Sequence, residues 1–284
     1  MNLPVLAILG TKGGVSKSTL SMGLAIWISK LRPGERCLLI DGDMHVRSVE
    51  LKMCRVHDAT LKDVLARDKP WESAVYTCEL EDEAGELLYP KLAVLPAGGR
   101  FMPPLRESPL TYLEIAKRLF GNMIEGLHKE FKYIIIDTPA SVGFEHFILT
   151  ASADAVIYVC EPNEDSISST LTTAEELGDL MEVKALGVVL SRVPADIDSE
   201  PWIKKAKQIA PLLGVIPEDP KVGAAFREDL PVVAAYPECP ASLAMKGIAQ
   251  KVLGAPVKRT EVEKKLERGL EKALKQVGRE KPSG

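Results

Sequence analysis

Short runs of apolar residues punctuate the chain: PVLAILG (4–10), CLLID (37–41), LAVLPA (92–97), YIIID (133–137), AVIYVC (155–160) and ALGVVL (185–190). They lack the apolar–polar alternation of a strand with one wet face, so they read as strands covered on both faces, as in a parallel sheet. Helical patterns separate most of them. Leu20, Leu24, Ile28 and Leu31 recur at near-helical spacing until Pro33 and Gly34 intervene. Further helices are expected from about Leu110 to Lys129 and from Glu164 to Met181. This alternation predicts an α/β fold: a single doubly wound, mostly parallel sheet with helices on both faces and ligands at the carboxyl ends of its strands.

Polar and glycine-rich stretches mark the joints. GGRFMPPLRESP (98–109) reads as a loop and ELEDEAGE (79–86) as an acidic turn or hairpin tip. After Pro256 the composition becomes charged and free of aromatics, which divides the chain into a domain over 1–256 and a helical tail over 257–284. In the tail, Val262, Leu266, Leu270, Leu274 and Val277 form one narrow apolar stripe, without Phe or Trp and with Gly269 in its middle. Two readings stand side by side: a solvated or self-packing helix, and a surface for a membrane or a partner.

The first strand runs into ILGTKGGVSKSTLSMGLAIWISK (8–30), a glycine-rich loop that opens a helix. Such a loop offers backbone N–H groups without intrahelical partners at the positive end of a helix dipole, which makes it an anion site. Aligned on Lys17 and Ser18, the phosphate-loop pattern G-x-x-x-x-G-K-[ST] finds Thr11 and Ser16 at its glycine positions and an extra lysine at Lys12. Gly13 and Gly14 would let phosphates approach the backbone, Lys17 would reach the β and γ phosphates, and Ser18 would ligate Mg²⁺. The plain alternative is a strand-to-helix turn with solvated lysines. Against it stand Asp41 and Asp43 after the second strand and Asp137 after YIII, three carboxylates at strand ends where a magnesium-binding aspartate belongs. Singly, each would more readily be a loop cap.

Composition narrows the function further. The 284 residues are 46% hydrophobic, enough for a sizeable core, and the net charge of −4 gives no global field toward nucleic acid, although a local basic patch is not excluded. Cys37, Cys54, Cys78, Cys160 and Cys239 are scattered without a C-x-x-C, consistent with reduced thiols in a cytoplasm. The opening LPVLAILG is too short to span a membrane and lacks the flanks of a secretory signal. His45, His57, His128 and His146 lie far apart, and no G-x-S-x-G occurs. Covalent catalysis and a zinc centre are therefore not expected.

Taken together, K-G-G-V-x-K-S-T, D-x-D after the second strand and D-T-P-A after a later one resemble the MinD/ParA family of deviant Walker A P-loop ATPases. TLKDVLA (60–66), LAVLPAG (92–98) and the segment from Leu213 to Gly254 extend the resemblance, closest to MinD-like proteins, over roughly residues 3–254. It implies ATP and Mg²⁺ as cofactors and an ATP-sandwiched homodimer in which Lys12 reaches phosphates held by the other subunit. It assigns Lys12, Lys17 and Asp43 to catalysis, and Ser18, Asp41 and Asp137 to the metal region. Gly13, Gly14, Val15, Ser16 and Thr19 complete the phosphate cradle with Lys12, Lys17 and Ser18. Base recognition falls on Ser191, Arg192 and the backbone of Ile216, Pro217, Glu218 and Asp219. The first switch would span His45–Ser48 and the second Thr138–Gly143.

Three positions depart from the family: Thr11, Ser16 and Ser191, the last standing where asparagine is frequent. If the backbone at Ser16 needs a positive φ, the side chain there costs about 1 kcal/mol. The resemblance further implies slow, partner-stimulated ATP hydrolysis in a cytoplasmic protein. Its spatial or regulatory output would pass through an activating or cargo protein, or through peripheral contact of the tail with the inner face of the membrane. Two alternatives remain: a ParA-like partition ATPase that binds DNA non-specifically, unsupported by charge, and a nucleotide-dependent scaffold with little turnover. Iron–sulfur carriers of the same superfamily need paired cysteines, which this chain does not offer.

Overall fold

The computed structural model describes residues 5–55, 57–66, 68–82, 84–99, 122–140, 149–181, 183–257, 268 and 272. Of the expected helix 110–129, residues 110–121 lie outside the described residues, as do 100–109 of the expected loop and Ser141–Gly143 of the expected second switch.

The described strands are β1 (Val5–Leu9), β2 (Cys37–Asp41), β3 (Tyr76–Thr77), β4 (Leu92–Leu95), β5 (Tyr133–Asp137), β6 (Ala155–Cys160), β7 (Lys184–Val193) and β8 (Leu212–Pro217). They form one sheet in the order β3-β4-β2-β5-β1-β6-β7-β8, parallel throughout except for the short edge strand β3. The helices are α1 (Lys17–Leu31), α2 (Ser48–Met53), α3 (Leu61–Leu65), α4 (122–130), α5 (Glu164–Met181), α6 (Glu200–Ala206), α7 (Pro220–Arg227), α8 (Val232–Ala235) and α9 (Pro240–Gly254). The chain thus folds as the doubly wound sheet its apolar runs predict.

The missing alternation has a direct cause. Val5, Ala7 and Leu9 of β1 enter one core with Leu38 and Ile40 of β2, while Leu6 and Ile8 enter the other with Cys37 and Leu39. The first core is closed by α4 and α5 through Ile124, Leu127 and Ile167, the second by α1 and α9 through Leu20, Leu24, Met245 and Ile248. Helix α1 is buried well beyond its apolar stripe because α9 covers its outer side. A Cβ at Gly23 would stand 2.3 Å from Met245 Sδ, and Trp27 Nε1 donates to the Ser242 carbonyl at 2.9 Å.

Strands β3 and β8 have no counterpart among the expected runs. Each is a partly covered strand, and β8 is interrupted by Gly214 and ended by Pro217, so neither looks like a buried apolar run. The acidic segment is a hairpin tip, with an antiparallel bridge between Glu81 and Leu87. No helix among the described residues is long and apolar enough to cross a membrane.

Sheet register positions the site. Ile8 pairs with Asp137 on one side of β5 and Asp41 pairs with Asp137 on the other, so three parallel strands end together at one edge. Gly42 permits this closeness: its N–H donates to the Asp137 carbonyl at 2.9 Å, and a Cβ there would stand 2.5 Å from that oxygen.

Candidate functional site

The loop between β1 and α1 is shaped by two left-handed residues, Gly14 at φ 84° and Ser16 at φ 70°. Its outer side is open: a Cβ at Gly13 or Gly14 would meet nothing within 4 Å. Its inner side is tight, since a Cβ at Gly10 would lie 2.7 Å from Val15 Cγ2 and 2.9 Å from the Val159 carbonyl. Lys17 is buried and curls back over the loop, Nζ donating to the Lys12 carbonyl at 3.1 Å. Burial pushes the Lys17 pKa down, while Asp137 and Asp43 pull it up. A cation so desolvated, facing an open cradle of backbone, is suited to an anionic ligand. Ser16 precedes α1 without a side-chain capping bond, so its left-handed backbone carries the expected steric cost with no local compensation.

The carboxylates divide their work. Both Asp41 oxygens accept main-chain N–H bonds, from Asp43 at 3.1 Å and from Glu50 at 3.0 Å, tying β2 to the following loop and to α2. Burial, aided by Asp137, pushes the Asp41 carboxyl well above its usual range. Asp41 therefore shapes the loop that carries Asp43. One Asp43 oxygen accepts from the N–H groups of His45 and Val46, both at 3.1 Å; the other has no hydrogen bond among the described residues.

Asp137 Oδ1 accepts from Ser21 Oγ at 2.8 Å, while Oδ2 is buried without a hydrogen-bond partner among the described residues. Burial lifts this carboxyl to about 6, against hydrogen bonding from Ser18 and Ser21 and the charge of Lys17, with Asp43 raising it further. An orphaned carboxylate oxygen beside a serine hydroxyl and a second carboxylate fits a hard, oxygen-seeking divalent cation such as Mg²⁺. Ser18 and Asp137 would hold it.

Lys12 points elsewhere. Its side chain is 42% exposed and pairs at 3.4 Å with the exposed Asp165 at the start of α5. Thr11 also leans on α5, its hydroxyl 2.7 Å from that of Ser169.

A cavity of about 590 Å³ opens beside the loop, lined by Gly14, Ser16, Thr19, Arg192, Ile216, Pro217, Glu218 and Asp219, with Val222, Phe226 and Met245 supplying apolar walls. Most of the residues expected on the base side thus converge on one concavity. Ser191 does not face it: fully buried, it donates to the Val15 carbonyl at 2.8 Å. Arg192 is held between acids, 2.9 Å from Glu161 and 3.6 Å from Glu218. The Asp219 side chain caps α7, accepting from the N–H groups of Lys221 at 2.9 Å and Ala241 at 3.1 Å. Burial opposes ionisation of Asp219, yet those donors together with Cys239 and the Lys221 charge hold its carboxyl below the usual value.

Several participants had no sequence signal of their own. Ser21 lies one helical turn after Lys17, a spacing that would have placed it on the same face. Asp165, Glu161, Phe226 and Met245 reach the site only through packing of distant segments.

Known proteins resemble this chain in sequence and fold. Residues 6–232 match the family described as CobQ/CobB/MinD/ParA nucleotide binding domain. An uncharacterized ATP-binding protein of Methanocaldococcus jannaschii is 32% identical over 276 residues, spanning 95% of each chain. The antiactivator FleN of Pseudomonas aeruginosa is 28% identical over 268 residues, 89% of this chain and 87% of its own. The structure of the septum site-determining protein MinD from Pyrococcus horikoshii, complexed with Mg-ADP, superimposes with a TM-score of 0.71 at 25% identity, covering 87% of this chain and 95% of that one. With its glycine loop, paired lysines and strand-end aspartates on one edge of a doubly wound sheet, the chain belongs to the CobQ/CobB/MinD/ParA family of nucleotide-binding domains.

Proposed function

We propose that this chain is an ATP-dependent molecular switch whose site is completed by a second copy of itself. The observation that carries the reading is the contrast between its two loop lysines. Lys17 is buried and bonded within its own loop, whereas Lys12 is half exposed and held by a surface ion pair. Such a pair contributes about 0–1 kcal/mol, so a phosphate on a facing subunit can displace Asp165. A cation opposite the γ-phosphate stabilises charge developing on the transferred group, and it does so only in the assembled state. ATP then favours the dimer and hydrolysis releases it.

Within one subunit, the N–H groups of the loop and the start of α1 would cradle the phosphates, and Lys17 would neutralise their charge. Asp43, with one oxygen fixed by the His45 and Val46 amides, would orient the attacking water through its other oxygen. Mg²⁺, held by Ser18 and Asp137, supplies charge neutralisation at the phosphates when bound. The relatives support a regulatory output: one carries the name antiactivator, another determines the septum site. Here that output would pass through an activating or cargo protein, with residues 257–284 as a candidate contact with that partner or with a membrane.

Sedimentation velocity with ADP, and with ATP and Mg²⁺, on wild type and Lys12→Ala tests the reading. ATP should produce dimers of wild type and leave Lys12→Ala monomeric. Dimerisation of both alike would remove the intersubunit role of Lys12. The strained Ser16 favours a second reading, a nucleotide-dependent scaffold with little turnover. Single-turnover ATP cleavage, with Asp43→Ala as the inactive control, separates the two.

A further inference from the structure

Two of the chain's departures from its family, Ser16 and Ser191, are 175 positions apart in number yet meet at one peptide bond. Ser191 Oγ donates at 2.8 Å to the Val15 carbonyl, the carbonyl of the peptide whose N–H belongs to Ser16. Both Val15 and Ser191 are buried, so water does not compete for this bond. In a trans peptide the C=O and N–H point in opposite directions; holding the carbonyl down onto β7 aims the Ser16 N–H away from β7, toward the open side of the loop. Strand β7 is built for the contact. Its pairing with β8 slips between Leu190 and Val193, and Arg192 adopts φ 53°, a bulge that lets the strand end turn toward the loop. Arg192 adds a marginal bond at 3.5 Å to the preceding carbonyl, that of Gly14.

We propose that Ser191 is a positioning residue for the phosphate cradle: its hydroxyl holds the Val15–Ser16 peptide in the orientation that phosphate binding needs, compensating for a serine where a glycine would adopt φ 70° without strain. A serine in the left-handed region leaves it readily when untethered, because its Cβ disfavours that conformation; a glycine does not. The two serines are therefore coupled, and Ser191 acts on phosphates of any nucleotide rather than on the base. The inference rests on the nucleotide-binding reading of this site.

The test is titration calorimetry of ATP, GTP and inorganic tripolyphosphate on wild type, Ser191→Ala, Ser191→Thr, Ser191→Cys, Ser16→Gly and the double variant Ser16→Gly/Ser191→Ala, each first checked by thermal melting. Ser191→Ala should weaken all three ligands about tenfold. Ser191→Thr should restore binding. In the Ser16→Gly background the same alanine substitution should cost no more than about threefold, since glycine holds the left-handed conformation unaided. Ser191→Cys keeps the packing with a weaker donor and should fall between Ser and Ala, which guards against a misfolded alanine variant. Loss of ATP alone would make Ser191 a base reader and overturn the proposal, as would an equal loss in both backgrounds or no loss at all. Failure of wild type to bind ATP or tripolyphosphate would bring down the nucleotide-binding reading itself, and this inference with it.

Discussion

The two halves of the site are built on different principles. On the proposed phosphate side, Asp43 and Asp137 come from the ends of adjacent strands and Lys17 from the start of α1, and among the described residues groups remain without partners: an open backbone cradle, one Asp43 oxygen and one Asp137 oxygen. On the base side the polar groups are already engaged. Ser191 is turned into the loop, Arg192 is held by Glu161 and Glu218, and Asp219 caps a helix. Affinity should therefore reside with the phosphates, while the base side contributes shape and apolar walls. Charges left unsatisfied before binding mark where a ligand gains most.

The largest effect that can break this contrast is Lys17→Ala. Removing the desolvated cation should weaken ATP binding by two orders of magnitude or more, about 3 kcal/mol, read by calorimetry. A loss below about threefold would move the ligand away from the loop.

Asp137→Asn should act oppositely on stability and function. Because the native pKa of Asp137 is raised from 3.8 to about 6, the folded protein binds more protons than the unfolded chain between those values, and stability falls as pH rises through that window. At pH 7.5 and without nucleotide, the asparagine variant should be more stable than wild type by about 1–3 kcal/mol. That advantage should shrink as pH falls through about 6 and vanish near pH 4. The same variant should lose magnesium-dependent ATP cleavage. Denaturant melts at stepped pH check the first statement and single-turnover assays the second.

Asp219→Ala sharpens the other side. It removes an acceptor for two N–H groups and should cost about 1–2 kcal/mol of stability, with ATP affinity changed less than about threefold. A larger drop in affinity than in stability would make Asp219 a ligand residue. The smallest effect belongs to Ser16→Gly, which should stabilise the nucleotide-free protein by about 1 kcal/mol, seen as a melting-temperature rise of about 2 °C.

Legibility in the sequence followed the same division. Strands β1, β2, β5 and β6 read directly from their apolar runs because burial on both faces removes polar interruptions. The partly covered strands β3 and β8 did not, since edge position and Gly214 and Pro217 erase that signal. Lys12 and Lys17 were visible as site candidates because the chemistry of a phosphate loop fixes residue types at short spacing, and Asp137 because it ends an apolar run. Asp165 and Phe226 were not, because each joins the site from a surface that only packing brings near; Ser21, one turn after Lys17 on α1, lay within reach of the helical spacing.

By itself the sequence determined the doubly wound architecture and pointed to the proposed chemistry of the phosphate side, since hydrophobic periodicity and a contiguous loop motif are local properties of the chain. Tertiary structure decided that Ser16 is left-handed, that Ser191 faces the loop instead of the cavity, and that Lys12 points outward. Those outcomes depend on where a bulge in β7, the start of α5 and the end of β1 come to rest against one another, and no local pattern encodes a contact between residues so far apart along the chain.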